Sequence, residues 1–245
     1  MPFSEVINHT FEAYKKNFKL LTFFAFPFAI VFGLSLLLQN FVSLSGIFLR
    51  YGSIQTDLTA WDAFIIVAVF LLSLLFFSFA IVAINLVIKS QRTLKRLTFY
   101  EHEKIEANVA RMFTIFLAVF VLILVINMLL YDLQLTPSLG LFLSLVISLA
   151  VLFVPQALVI DDLGMVASIY MSISVLFRRF PYLLAYLVIA SVLITANTQL
   201  FLEIGGSAAI WRYVAVLVNA LIILPFLEVL KTQIYLSKYT VLKSA

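Results

Sequence analysis

Residues 63–88, AFIIVAVFLLSLLFFSFAIVAINLVI, run for 26 positions without one charged side chain. A bilayer core about 30 Å thick is crossed by roughly 20 apolar residues in an α-helix, so this run is long enough to span a membrane and too greasy for a soluble surface. Five more windows have the same character, at about 20–43, 113–131, 139–160, 181–202 and 213–230. The expected fold class is therefore all-α, a polytopic membrane protein with six transmembrane helices in a single membrane domain over residues 1–245. Composition agrees, because 64% of the chain is hydrophobic and 11% charged, against about 45–50% and about 25% in soluble domains. No stretch is polar enough to coat a second, soluble domain.

Charge placement orients the chain. Lys15, Lys16, Lys19, Lys89, Arg92, Lys95, Arg96, Lys104, Arg111, Arg178, Arg179, Lys231, Lys238 and Lys243 all fall on one side of the six windows, whereas only Arg50 and Arg212 fall on the other. Lysine and arginine collect on the cytoplasmic side of membrane proteins. The expectation is a multi-pass protein of the cell membrane with both termini in the cytoplasm. Trp61 and Trp211 then map to the opposite membrane boundary, where an amphipathic ring is favoured. The basic pI of 9.3 is accordingly a property of one face, and nucleic acid is not an expected partner. The N-terminal stretch MPFSEVINHTFEAYKKNFKLL has glutamates ahead of its lysines and no small-residue cleavage site beyond its apolar run, so it is read as retained rather than as a secretory signal.

Two polar interludes carry helical periodicity. Phe3, Val6, Ile7, Phe11, Tyr14 and Phe18 alternate with Glu5, Asn8, Glu12, Lys15 and Lys16 at helical spacing, which predicts an interfacial amphipathic helix over 1–19. Residues 165–177 predict a second, with Met165, Val166, Ile169, Ile173, Leu176 and Phe177 on one side and Ala167, Ser168, Met171 and Ser172 on the other. Asp161 and Asp162 precede this helix, where carboxylates favour a helix N-terminus. Gly164 is read as permitting the turn into it, and Pro181 as opening the following span.

These pieces suggest a repeat. Tyr14-Lys15-Lys16 leads to Leu20-Leu21 in the register in which Phe177-Arg178-Arg179 leads to Leu183-Leu184. The even spans end in Leu86-Val87-Ile88-Lys89, Leu158-Val159-Ile160-Asp161 and Glu228-Val229-Leu230-Lys231, with Pro155 and Pro225 three residues upstream of the last two. The pattern is consistent with three units, each a cytoplasmic amphipathic helix followed by a hairpin of two spans, the middle helix lying around 100–112. Basic boundary residues and leucine-rich tetrapeptides also arise without duplication in so apolar a chain.

The segment FVPQALVIDDLGMVASIYMSISVLFRRFPYLL, together with FEAYKKNFKLL and LPFLEVLKTQIYLSKY, resembles the six-helix membrane proteins related to the membrane domain of glycerophosphoryl diester phosphodiesterases. The resemblance covers most of the chain. It implies a fold and not hydrolysis, because the soluble barrel that carries those enzymes' catalytic acids has no counterpart here, and it marks no ligand residue.

Little in the chain points to catalysis. With no cysteine and only His9 and His102, no metal site is expected, and the sequence shows neither a phosphate loop, a nucleophile elbow nor a carboxylate pair suited to acid/base work. No cofactor is expected, and an enzyme is not the reading favoured. Glu228 is the one carboxylate inside a span, with Lys231 at i+3; such residues are functional candidates by default, although a place near the cytoplasmic end also suits a paired boundary residue. Asn127, Asn197, Thr198, Gln199 and Asn219 map to the outer half of spans three, five and six, as cavity lining or as interhelical hydrogen bonds. Asn85 and Gln156 form a comparable inner pair. Lys15, Lys16, Lys19, Arg92, Lys95, Arg96, Arg178 and Arg179 form a basic collar suited to anionic lipid head groups or to a membrane protein partner. The expectation is a non-enzymatic scaffold or complex subunit, with a transporter or lipid permease using a pathway among spans three to six as the alternative.

Overall fold

The computed structural model of the chain describes residues 2–37, 41–44, 47–50, 60–93, 99–133, 137–205 and 209–239. Helix α1 (Phe3–Leu37) leads to a two-stranded antiparallel hairpin, β1 (Phe41–Leu44) and β2 (Ile47–Arg50), in which Phe41 pairs with Arg50 and Leu44 with Ile47. Helices α2 (Ala60–Thr93) and α3 (Phe99–Asp132) follow, then α4 (Pro137–Ala150), α5 (Val154–Ile160), α6 (Met165–Arg178) and α7 (Phe180–Gly205). The chain closes with α8 (Ala209–Val218), a π-helical turn (Asn219–Ile223) and α9 (Leu224–Leu236). Six segments are long and apolar enough to cross a membrane: Phe3–Leu34, Phe64–Ser90, Lys104–Leu130, Ser138–Ile160, Phe180–Gly205 and Ile210–Tyr239. The protein is a helical, multi-pass membrane protein, and six crossings place both termini at the same end of the bundle. That end also carries most of the basic side chains and is called the basic end below.

Three expected boundaries differ. The first helix ends at Leu37 rather than 43, and residues 41–44 form a strand. The N-terminal amphipathic stretch is not a separate helix, for α1 is continuous over 35 residues, about 50 Å at 1.5 Å per residue. It is therefore several turns longer than the hydrocarbon layer is thick, and it continues through Pro27 without a break in the helix. The same holds for 100–112, which is continuous with span three in α3. Only α6 stands apart from the span it precedes, because the helix breaks at Arg179.

Two even-numbered spans are broken, each at a proline. Proline has no N–H to donate and its ring crowds the carbonyl four residues back. Before Pro155 the chain leaves the helix over 151–153, between α4 and α5. Before Pro225 it widens instead into the π-helical turn. The freed backbone groups are met by side chains from elsewhere: the Ser172 hydroxyl of α6 donates to the Ala150 carbonyl (2.7 Å) and accepts from the Phe153 N–H (3.0 Å), while the Tyr14 hydroxyl of α1 donates to the Ile222 carbonyl (3.0 Å). Such rescue is what a bilayer requires, since no water is available there to satisfy a broken backbone.

Burial is uneven. Helix α2 packs on α1, α3, α5 and α9, and the three apolar clusters meet around the basic-end halves of α2, α5 and α9. Leu21, Ala25, Phe28, Ile84 and Val229 fill the first cluster, Leu86, Met112, Val154 and Leu158 the second, and Val6, Phe153, Leu183, Leu230, Ile234 and Tyr235 the third. Spans three and five are peripheral, with 11% and 6% of their most apolar windows buried against 39% in spans four and six. Leu183 is the buried residue of α7; Leu187, Val188, Val192 and Leu200 lie exposed beyond it.

Candidate functional site: a buried polar cluster at the basic end

Each even span contributes a polar side chain to one point. Asn85 of α2, Gln156 of α5 and Glu228 of α9 fall within one turn of the three matched tetrapeptides read in the sequence, and they converge. Glu228 Oε1 accepts from Asn85 Nδ2 and from Gln156 Nε2, both at 2.8 Å. Its other oxygen meets Lys231 Nζ at 2.7 Å, one helical turn along α9. The Thr232 hydroxyl lies 2.8 Å from both Asn85 Oδ1 and the Glu228 carbonyl, its single proton shared between these two acceptors, and it accepts from Gln156 Nε2 at 3.3 Å. Asn85, Gln156 and Thr232 are sealed from solvent, and Glu228 and Lys231 are 6% and 5% exposed. Glu228 is thus tied into three spans and is more than a boundary residue paired with Lys231. Helix α9 turns its polar stripe, Glu228, Lys231, Thr232 and Tyr235, inward, the reverse of a helix lying on a membrane.

The cluster is nearly saturated. Each carboxylate oxygen has a donor, as a buried charge requires. The exception is Gln156 Oε1, which is buried with no hydrogen-bond partner among the described residues.

One turn nearer the basic end, the acidic pair plays a part the sequence did not suggest. Neither Asp161 nor Asp162 caps α6, whose N-cap is Gly164 with no side-chain hydrogen bond. They reach in opposite directions instead. Asp161 accepts from Tyr235 (2.6 Å), Lys238 (2.5 Å) and Tyr239, holding the end of α9. Asp162 meets Lys89 of α2 at 2.9 Å and Lys104 of α3 at 3.7 Å, while Lys89 also donates to the Val159 carbonyl at 2.7 Å. The turn is made at Asp162, with φ of 53°, a left-handed conformation that aspartate tolerates better than most residues; Gly164 has an ordinary φ of −68°. Burial is the largest influence on the Asp161 carboxyl and pushes its pKa up, but the hydrogen bonds from Lys238, Tyr235 and Tyr239 and the Lys238 charge outweigh it, so the pKa lies below the usual value.

The other expected residues are dispersed. Asn127 bonds to Ser144 Oγ (3.1 Å) between α3 and α4. Asn197 bonds to Asn219 Oδ1 (2.9 Å) and to the Ala215 carbonyl (3.0 Å), between α7 and the last span. These are two separate interhelical clasps, and neither joins Glu228. Thr198 bonds within its own helix, and Gln199 is exposed.

Of the basic collar, Lys15, Lys16, Lys19 and Arg178 are exposed. Arg179 is turned inward: it donates to the Ser237 carbonyl (3.0 Å) and stacks over Tyr182. Lys95, Arg96 and the Arg92 side chain lie outside the described residues. The far-end Trp211 stacks on Phe201 and presses on Gly205, where an added Cβ would fall 1.9 Å from its ring, so α7 and α8 meet only because that residue is glycine.

Helix α6 packs with its small face, Ser168, Ser172 and Val175, inward. Val166, Tyr170 and Phe177 point away from the protein, 68%, 72% and 73% exposed. Ser168 and Ser172, read in the sequence as part of the helix's weakly polar face, are the packing residues, and Ser172 bridges the break in span four.

No family model, curated protein or solved structure matches the chain.

Proposed function

We propose that the chain is a non-enzymatic integral membrane scaffold or complex subunit that contacts anionic lipid head groups, or a membrane protein partner, through α6 and the basic collar, from a cell membrane in which both termini face the cytoplasm. The observation that carries this reading is the outward face of α6. Three large side chains stand free of the protein, beside exposed Arg178 and beneath a boundary rich in lysine. A helix apolar on its free face and basic at its end belongs at the head-group level, where the rings sink into the acyl boundary and the cation meets phosphate. The resemblance to the membrane domain of glycerophosphoryl diester phosphodiesterases is kept as a proposed kinship of fold, without their hydrolysis.

Brominated lipids test the placement. In a variant with Trp61 and Trp211 replaced by phenylalanine and Tyr170→Trp introduced, shallow bromines are expected to quench the single tryptophan strongly and aqueous iodide weakly; the reverse order would remove α6 from the membrane. Arg178→Glu is then expected to reduce anionic lipid retained by the purified protein, relative to zwitterionic lipid.

A second reading, a transporter or lipid permease with a pathway among spans three to six, is favoured by a different observation. An ionisable pair lies inside the membrane domain beside two broken spans, an association that marks substrate and ion pathways in transporters. Stoichiometric co-purification of a partner supports the first reading, and flux of a solute or lipid by the lone reconstituted protein supports the second.

A further inference from the structure

We propose that the lipid-facing side of α7 is a self-association seam, on which a second copy of this chain packs in parallel about a two-fold axis along the membrane normal. With 3.6 residues per turn, Ser191, Thr195 and Gln199 fall on one face of α7 together with Leu184 and Val188, and all five are exposed. Leu183, the buried residue of this helix, and Asn197, which clasps the last span, fall on the opposite face. The helix is thus rotated so that hydrogen-bonding side chains, and not only apolar ones, point away from the bundle.

A polar stripe in that place has no use within a single chain. Thr198 turns its hydroxyl back onto the Ile194 carbonyl at 2.8 Å, whereas Ser191, Thr195 and Gln199 have no hydrogen-bond partner among the described residues. Hydrocarbon offers none. Ser191 lies near the middle of the span Phe180–Gly205, out of reach of water. Extension towards the far-end head groups would serve Gln199, the outermost of the three, and would leave both hydroxyls as they are. Hydroxyl and amide side chains that bond across an interface are a recurrent means by which membrane helices associate.

The chemistry of the stripe selects a second copy as its partner. A hydroxyl and a primary amide each donate and accept, so each is complementary to its own kind, and a two-fold axis along the membrane normal sets every residue opposite its counterpart at the same depth. Residues 184–199 contain no charge to repel its like. Leu184, Val188, Ser191 and Thr195 follow one another at intervals of four, three and four residues, the seam spacing of a left-handed helix pair, and the small Ser191 and Thr195 let two backbones approach. Helix α7 also has surface to give, since 6% of its most apolar window is buried within the protein. This inference does not rest on the lipid contacts of α6, and either can fail without the other.

Because the chain has no cysteine, single cysteines can report on the seam. Full-length Ser191→Cys and Thr195→Cys proteins are purified reduced, reconstituted in liposomes at high lipid dilution and oxidised with copper phenanthroline, which enters the bilayer. Both are expected to form a disulfide-linked dimer, whereas Leu200→Cys, exposed on a different face of α7 and nearer the far end, is expected to form several-fold less. No dimer at either seam position, or as much dimer at Leu200→Cys as at the seam, overturns the proposal. Wild-type protein labelled at its N-terminus gives a measurement free of seam substitutions: single liposomes are expected to bleach in two steps at high protein density and in one step as lipid is added. Gln199→Leu is expected to move that transition several-fold towards higher density. Single-step bleaching of the wild type at every density overturns the proposal, as does a transition that Gln199→Leu leaves in place.

Discussion

The two ends of the bundle are built on different terms. At the basic end, spans two, four and six interlock with one another and with residues of α1, α3, α6 and α7 through apolar clusters and through polar side chains that cross from one helix to another. Towards the far end, the polar contacts between helices are the clasps of Asn127 with Ser144 and Asn197 with Asn219, beside the packing of Trp211 on Phe201 and Gly205, and large apolar side chains such as Val188, Val192 and Leu217 lie uncovered. Lipid is a good solvent for those side chains, so the far end can stay loose without an energetic cost that water would exact. The contrast teaches that in a bilayer apolar surface is weak glue, and a tight region needs shape, hydrogen bonds and paired charge.

The largest expected effect comes from stranding a charge at the tight end. Glu228→Ala leaves the buried Lys231 ammonium unpaired and is expected to cost about 3–5 kcal/mol, read as a lower thermal midpoint in detergent, with Glu228→Leu/Lys231→Met recovering part of the loss. Leu230→Ala, in the sealed third cluster, is expected to cost about 2–5 kcal/mol, whereas Leu187→Ala on the exposed face of α7 should fall within about 0.5 kcal/mol; comparable losses at both positions would break the contrast. Ser172→Ala removes the hydroxyl that bridges the break in span four, and a loss of about 1–3 kcal/mol is expected, accompanied by faster amide exchange at Phe153. Asn197→Ala at the far end is expected to cost only about 0.6 kcal/mol.

Acid sharpens the same comparison. Because the Asp161 pKa is lowered in the folded protein, its contribution to stability is fully present above the ordinary value of 3.8 and is lost as pH falls through the lowered folded-state value. Wild-type protein should therefore lose stability in that acid window, and Asp161→Asn should flatten that limb of the curve.

Much of the bundle was legible because apolar length is a local property. Residues 63–88 announce a span whatever surrounds them, and the matched ends at Ile88, Ile160 and Leu230 already grouped the even helices. The inward stripe of α9 was half visible, since Glu228, Lys231 and Thr232 share a helix face. What sequence spacing could not show is that Asn85, 143 positions before Glu228, bonds to the same carboxylate oxygen as Gln156. That contact depends on how three spans rotate about their axes, and rotation is set by packing rather than by composition. The acidic pair misled for a similar reason. A carboxylate ahead of a helix suggests a cap, yet Lys238 and Lys89 stand close enough in space to outcompete the backbone N–H groups.

The account rests on the buried cluster as the tie that joins spans two, four and six. A double-mutant cycle between Asn85→Leu and Glu228→Gln, measured by reversible unfolding of the reconstituted protein, addresses that tie directly. A coupling energy of about 1 kcal/mol or more is predicted, whereas additivity within about 0.3 kcal/mol would contradict a direct bond between these spans and with it the tight end of the bundle.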